Sequence, residues 1–243
     1  MLELRNLSIG YRQKGNRNTV IAQGLSATLH GGSVAVLVGS NGVGKSTLLR
    51  TIAGFLKPVS GQVLFDGKTD VHSITPSELS KSISVVLTER TDVEYLSVYD
   101  AVSFGRMPYT GMLGTLKEDD RQIVDLSLSL TGVSDLRNRT VDTLSDGQRS
   151  RVMIAKALAQ QTPVILLDEP SAFLDYPGKE ELMLLLRSLA HNENKAILIS
   201  SHDIDMVKRY ADLFWVMLKT KAGTTLSVDT DPSMFDPDLL RNS

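Results

Sequence analysis

A glycine-rich segment at residues 39–47 carries the residue types suited to binding phosphate groups. It matches G-x-x-x-x-G-K-[ST] between the apolar run 33–38 and a helix-forming stretch, the context that a phosphate-binding loop needs. Its glycines let successive backbone N–H groups turn toward a phosphate, and the following helix adds partial positive charge at its N-terminus. The segment consists of Gly39, Ser40, Asn41, Gly42, Val43, Gly44, Lys45, Ser46 and Thr47. We predict that it binds a nucleoside triphosphate.

Two side chains of this segment have separate expected tasks. The Lys45 ammonium would reach the β- and γ-phosphates, and the Ser46 hydroxyl is placed to bind Mg²⁺. A glycine-rich turn without a ligand is the alternative interpretation. The sequence Lys-Ser-Thr at the start of the helix favours the phosphate site.

A pair of acids ends the apolar run at 164–167. Because α/β sheets bind ligands at the carboxyl ends of their strands, we expect Asp168 to lie beside the phosphate loop. There Asp168 would hold Mg²⁺ through its water shell, and Glu169 would orient and polarise the attacking water as general base. The alternative is an acid pair that caps a helix before Pro170.

A third segment, residues 144–148, lies directly before a predicted helix at 149–159. Taken alone it reads as a helix start with Ser145 or Asp146 as N-cap. A serine and a glycine N–H at a helix N-terminus also make an anion site. The segment consists of Leu144, Ser145, Asp146, Gly147 and Gln148.

The elements that must position these residues follow from the alternation of apolar runs and helical stretches, which predicts an α/β fold with a mainly parallel sheet. Residues 96–159 look helical, with Ile123, Leu126 and Leu130 on one apolar face. We therefore expect one domain over 1–243, with a sheet core at 1–88 and 161–243 and a helical insertion at about 89–160. Strands are predicted at 33–38, 62–65, 83–87, 164–167 and 196–200, and further helices at 45–53 and 179–190.

Composition excludes several classes of protein. The 243 residues contain no cysteine, which excludes disulfides, thiolate metal sites and cysteine nucleophiles. The net charge of -2 gives no sign of a nucleic-acid surface. The first residues do not have the pattern of a signal peptide, and no run of apolar residues is long enough to span a bilayer, so we expect a cytoplasmic location.

The order of these motifs resembles that of the ATP-binding subunits of ABC transporters, and the likeness covers nearly the whole chain. In that family a signature of the form LSGGQ stands between the phosphate loop and the acid pair, as 144–148 does here. The resemblance implies an ATPase with the P-loop cassette fold: a mainly parallel core, an antiparallel β part and a helical subdomain. It also implies a head-to-tail homodimer, in which 144–148 covers the γ-phosphate held by the other copy and Asp175 lies in a loop at the interface.

Two further residues take roles from this resemblance. His202, within the sequence Ser-Ser-His-Asp, resembles the switch histidine that contacts the γ-phosphate. Its alternative is a residue at a helix start near Asp203. Tyr11 resembles the aromatic residue that stacks on adenine, against the alternative of a purely structural tyrosine.

Two positions depart from the family pattern. Asp146 replaces the first signature glycine and brings a carboxylate near a phosphate, so repulsion would weaken ATP-driven closure unless Asp146 turns away to cap its own helix. Thr88 stands where the family has a glutamine that reaches Mg²⁺ and the attacking water. Either water fills the gap that the shorter side chain leaves, or Glu89 substitutes.

The stretch 105–111, GRMPYTG, narrows the resemblance to subunits of importers for iron-siderophore, haem and vitamin B12 complexes. Residues 88–111 would form the groove that receives a helix of the membrane permease, and a substrate-binding protein would be an indirect partner. The alternative is a helix end followed by a proline-glycine turn. A soluble ABC ATPase in another process, or an importer subunit for a different substrate, are the rival functions. The presence of Glu169 and His202 argues against a module that binds ATP without turnover.

Overall fold

The computed structural model describes residues 1–12, 18–87, 95–111, 114–221 and 223–231. Thr88 and Glu89 lie outside the described residues. The strands are β1 Leu2–Arg12, β2 Asn18–Leu29, β3 Ser33–Gly39, β4 Ser60–Phe65, β5 Thr69–Asp70, β6 Ile83–Val86, β7 Val164–Asp168, β8 Ala196–Ser200, β9 Leu213–Thr220 and β10 Gly223–Asp229. The helices are α1 Lys45–Ile52, α2 Pro76–Ser82, α3 Val98–Ser103, α4 Glu118–Leu130, α5 Asp146–Ala159, α6 Tyr176–Glu193 and α7 Ile204–Val207. Short 3-10 helices lie at Phe104–Tyr109, Ser134–Leu136 and Val141–Thr143.

One sheet of ten strands runs through the described part of the chain in the order β5-β4-β1-β2-β10-β9-β3-β8-β7-β6. Pairing is parallel from β9 through β3, β8 and β7 to β6. It is antiparallel where β1 meets β2 and β4, where β4 meets β5, and where β9 meets β10. The predicted α/β fold with a parallel core and an antiparallel part is confirmed. The five predicted strands also lie where the sequence placed them, within one or two residues.

The parallel strands are buried on both faces, which explains their continuous apolar sequences. Side chains alternate along a strand, so Ala35 and Leu37 of β3 pack on the face that α1 covers. Val34 and Val36 pack on the opposite face with α5 and α6. The parallel strands are therefore closely packed on both faces, and the residues at their carboxyl ends lie together at one end of the strands.

The helices between β6 and β7 have an apolar cluster of their own. Val102 of α3, Leu128 of α4 and Val152 of α5 are each at most 1% exposed within it. This cluster is the physical reason why helices can stand beside the sheet as an insertion. The bounds of about 89–160 for that insertion stay a prediction.

The predicted apolar face of α4 is wrong in detail. Leu126 is 57% exposed and Leu130 is 41% exposed, and only Ile123 packs against the cluster. Val124 and Leu128 are buried instead. The sequence of α4 contains two overlapping apolar spacings, and periodicity alone does not decide which one faces the neighbouring helices.

Helix α6 begins before the residues that predicted it. Asp175 is its N-cap and Pro177 lies in its first turn, a position that proline tolerates because the first N–H groups of a helix have no partner within it. None of the described helices is both long and apolar enough to cross a membrane.

Candidate functional site

The phosphate loop joins β3 to α1, as predicted. Gly39 has φ 154 and Gly44 has φ 114, values that other residues rarely adopt. A Cβ on Gly39 would lie 2.6 Å from the Met217 carbonyl oxygen, and one on Gly44 would lie 2.7 Å from Ile21 Cγ2. Gly44 caps α1 without a side-chain hydrogen bond, so no capping side chain competes for the first N–H groups of the helix. This geometry suits an anion.

Lys45 is buried and points back into the loop. Its Nζ donates to the carbonyl oxygens of Gly39 at 2.7 Å and of Ser40 at 3.1 Å. Burial lowers the pKa of Lys45, and the negative charges of Glu169 and Asp168 oppose that shift. Lys45 is therefore a buried cation whose charged form the two acids favour.

Strand order explains how the acids reach the loop. β3, β8 and β7 are neighbours and parallel, so their last residues, Gly39, Ser200 and Asp168, lie at the same end of the strands. Asp168 is only 4% exposed. The Ser200 Oγ donates to Asp168 Oδ1 at 2.6 Å and accepts the Glu169 N–H at 2.9 Å. Ser200 was missed in the sequence, although it is a polar residue at the end of an apolar strand.

Glu169 has an unusual backbone conformation. Its φ is 50, in the left-handed region, which costs a non-glycine residue roughly 1–2 kcal/mol. Pro170 adds to this cost because a proline disfavours helical conformations in the residue before it. Strain of this kind persists where the surrounding structure enforces it, and it is common at active sites.

His202 meets Glu169 directly. The His202 Nε2 pairs with Glu169 Oε1, and both side chains remain partly exposed. Asp203, not His202, caps α7, since its Oδ1 accepts the Met206 N–H. His202 stands directly before this cap, so its role as the switch histidine stays a prediction. Lys179 of α6 holds the other Asp203 oxygen at 3.1 Å, a contact that the sequence did not suggest.

Tyr11 and Ser46 flank the loop. The Tyr11 Oη lies 3.4 Å from Thr47 Oγ1, and its side chain is 44% exposed. Its adenine-stacking role stays a prediction. Ser46 is exposed at the start of α1. A Ser46 hydroxyl and the Asp168 carboxylate are the hard oxygen donors that Mg²⁺ accepts, and nucleotide phosphates would have to complete such a site.

The signature segment forms the start of α5, which begins three residues earlier than predicted. Ser145 is the N-cap: its Oγ accepts the Gln148 N–H at 3.3 Å, and Gln148 Oε1 accepts the Ser145 N–H at 3.1 Å. Leu144 packs into the cluster of the insertion. Of the two predicted N-cap candidates, Ser145 has the extended backbone that a cap requires, so Asp146 does not cap the helix. Asp146 is exposed in the first helical turn.

Contacts within the chain tie the signature helix to the segment after the acids. A Cβ on Gly147 would lie 3.3 Å from Leu174 Cδ2, and the Ser150 Oγ donates to the Pro170 carbonyl at 2.7 Å. Asp175 closes this segment by accepting the Gly178 N–H on its Oδ1 at 3.1 Å. Its place at a dimer interface stays a prediction.

The stretch 105–111 lies mostly in the 3-10 helix Phe104–Tyr109, and its Arg106 holds this helix against neighbouring elements. Arg106 is 5% exposed and donates to Asp120 Oδ1 at 2.9 Å and to the Ala159 carbonyl at 2.8 Å. The Tyr109 ring lies against the Arg106 guanidinium, 4.2 Å from its centroid. Arg106 therefore joins three elements of the insertion, a role that its sequence context did not indicate.

Known proteins are similar to this chain in sequence and in fold. The family model described as ABC transporter matches residues 22–172. The achromobactin transport ATP-binding protein CbrD of Dickeya dadantii is 40% identical over 208 residues, 86% of this chain and 75% of that protein. The iron(3+)-hydroxamate import ATP-binding protein FhuC of Bacillus subtilis is 34% identical over 240 residues, 99% of this chain and 86% of that protein.

A solved structure agrees with the fold. It is a dimeric ATP-binding cassette in a post-hydrolysis state with ADP and phosphate, with a TM-score of 0.79 and 26% identity over 95% of this chain and 98% of the other. The predicted resemblance, fold and ATPase activity are confirmed. The chain belongs to the ABC transporter family, as one of its ATP-hydrolysing subunits.

Proposed function

We propose that this chain energises a membrane importer for iron-siderophore, haem or cobalamin complexes, by hydrolysing Mg²⁺-ATP between two copies of itself. The observation that carries the catalytic part is geometric: Lys45 contacts the end of β3, the two acids follow β7 in the same parallel sheet, and His202 pairs with Glu169. A cation for phosphates, a carboxylate for a metal and a carboxylate–histidine pair are what phosphoryl transfer to water requires.

Each residue has a task that follows from its environment. Lys45 would exchange its two carbonyl partners for phosphate oxygens, which are charged and therefore stronger acceptors. Asp168 and Ser46 would hold Mg²⁺, which when bound neutralises charge on the phosphates. Glu169 would take a proton from the attacking water, with His202 fixing its carboxylate and contacting the γ-phosphate.

The second half of each site would come from the other copy. Ser145 and the Gly147 N–H at the start of α5 would cover the γ-phosphate, and Asp175 would face the partner. The dimeric state of the similar cassette supports this arrangement. ATP then stabilises the closed dimer, and loss of phosphate favours the open one.

The transport role is supported by the names of the relatives, which act in achromobactin transport and in iron(3+)-hydroxamate import. Met107 within the 105–111 stretch is 64% exposed and Phe104 just before it is 45% exposed, and a permease helix would cover this apolar surface. We place the protein at the cytoplasmic face of the membrane, bound to permease subunits.

One variant tests the chemistry and the transport role together. Glu169→Gln should bind ATP with unchanged affinity, lose about 100-fold or more in turnover, and accumulate as an ATP-bound dimer in size-exclusion chromatography. Cells that carry it instead of wild type should fail to take up labelled iron-siderophore, haem or cobalamin. Glu118→Gln, an exposed change on α4, is the control.

Two results would contradict the proposal at different points. Turnover near the wild-type rate in Glu169→Gln would show that Glu169 is not the base. Normal uptake of all three substrate classes in cells without the protein would reject the importer assignment while leaving the ATPase intact.

A further inference from the structure

Ser200 is a fully buried residue at the end of β8, and its hydroxyl contacts both acids of the site. It is 0% exposed, and it stands opposite Asp168 in the register of β7 and β8. Its Oγ donates to Asp168 Oδ1 at 2.6 Å and accepts the Glu169 N–H at 2.9 Å. A serine hydroxyl offers one donor and two acceptor sites, so a single atom can serve both neighbours.

A buried serine in this sheet does not make such contacts by default. Ser84 of β6 is 1% exposed, and its Oγ has no hydrogen-bond partner among the described residues. The two hydroxyls are almost equally buried, although β6 is the edge strand of the sheet and β8 lies between β3 and β7. The contacts of Ser200 therefore come from its place at the strand end, beside the acids.

The bond to Glu169 acts on a backbone that needs support. Glu169 has φ 50 and precedes Pro170, so its conformation is unfavourable without outside contacts. Its N–H is held by Ser200, and its carbonyl oxygen accepts the Ala172 N–H at 3.1 Å. In this conformation the Glu169 side chain reaches His202.

We propose that Ser200 is a positioning residue for ATP hydrolysis, whose hydroxyl fixes the Asp168 carboxylate and the Glu169 backbone at the same time. This inference rests on the proposed roles of the two acids. It predicts two separable consequences. Through Asp168, Ser200 sets how strongly nucleotide binding depends on Mg²⁺; through Glu169, it sets turnover.

The test compares Ser200→Ala with wild type, with Ser84→Ala as a control of equal burial and Ser200→Thr as a variant that keeps the hydroxyl. Nucleotide affinity is measured by equilibrium binding of a fluorescent ATP analogue with and without Mg²⁺. Turnover is divided by the number of nucleotide-binding sites, so that misfolded protein does not count.

Ser200→Ala should lose about 10- to 100-fold in kcat, the usual range for partners that orient metal ligands, while KM for ATP changes by less than about threefold. The Mg²⁺ concentration for half-maximal nucleotide binding should rise by a similar factor. That rise should persist in the Glu169→Gln background, where turnover plays no part. Binding without Mg²⁺ should not change. Ser84→Ala should match wild type, and Ser200→Thr should recover most of the loss.

A merely structural role gives another pattern. If Ser200→Ala loses binding sites but each remaining site turns over normally with unchanged Mg²⁺ dependence, the inference is overturned. Equal losses in Ser84→Ala would overturn it as well, because burial alone would then explain them. Neither result would affect the Glu169→Gln test, so failure here is distinct from failure of the proposed ATPase site.

Discussion

The carboxyl ends of the parallel strands and the start of α5 carry the two proposed halves of the nucleotide site, and the side chains of the two regions are held differently. At the strand ends, Lys45, Asp168 and Glu169 are each held by hydrogen bonds from neighbouring elements. At the start of α5, Ser145 and Gln148 bond mainly to each other and lie at the surface. The first half is therefore assembled by folding alone. The second half is a well-capped helix end whose ligand must be brought to it.

The two proposed halves can be tested separately by placing a defect in each half on a different copy of the chain. Ser145→Arg should keep the ATP affinity of the monomer and lose about 100-fold or more in turnover, because the bulky cation blocks the partner's phosphate. Lys45→Ala should lose ATP binding itself. Mixing the two inactive variants should restore part of the activity, since one composite site in a mixed dimer keeps both intact halves.

The measurement is ATPase rate against mixing ratio. Lys45→Ala mixed with Glu169→Gln is the matched control, because neither site of that dimer is complete. Mixtures of Ser145→Arg and Lys45→Ala that stay inactive at every ratio would contradict a site shared between copies.

The stability of the helical insertion depends on a buried ion pair between Arg106 and Asp120. Asp120→Asn leaves the buried Arg106 guanidinium without its negatively charged partner, so we expect a loss of about 3 kcal/mol in unfolding free energy. Nucleotide affinity at the strand ends should change little. Asp125→Asn removes the exposed pair with Arg137 and should cost less than about 1 kcal/mol. Denaturant unfolding measures both, and equal losses would contradict the role of burial.

The pH dependence of that stability has a definite sign. The Lys117 N–H bond lowers the pKa of Asp120; burial opposes this, and the Arg106 hydrogen bond and charge lower it further. Because the folded-state pKa is the lower one, the stabilisation is fully present above the unfolded value of 3.8 and is lost as pH falls through the folded pKa. Between pH 7 and pH 3, the difference in unfolding free energy between wild type and Asp120→Asn should therefore narrow only at the acid end.

The smallest expected effect concerns Asp146. Asp146→Asn removes a negative charge from the surface that would meet a phosphate, so the ATP-driven dimer of Glu169→Gln should tighten by about three- to tenfold at low salt and less at high salt. The monomer should lose a few tenths of a kcal/mol, because a carboxylate in the first turn favours the helix. Asp142→Asn, an exposed acid in the same insertion, is the control for sedimentation measurements. An unchanged or weaker dimer would show that Asp146 does not face the phosphate.

The local sequence predicted the site and the strands well where the structure accepts only certain residue types. The phosphate loop could be placed because Gly39 and Gly44 stand where a Cβ does not fit, and because the apolar runs of the parallel strands are buried on both faces. It was a poorer guide on α4, where two apolar spacings compete, and at the start of α5, where it left the cap open between Ser145 and Asp146.

The phosphate loop, the acid pair, their order and the α/β fold could all be predicted from the sequence, because each rests on patterns that are local in the chain. Three contacts could not be predicted in this way: Ser200 joins both acids, Lys179 holds Asp203, and Arg106 is buried against Asp120. These contacts join residues 14 to 32 positions apart. Their partners are fixed by strand order and helix packing, which no local pattern records.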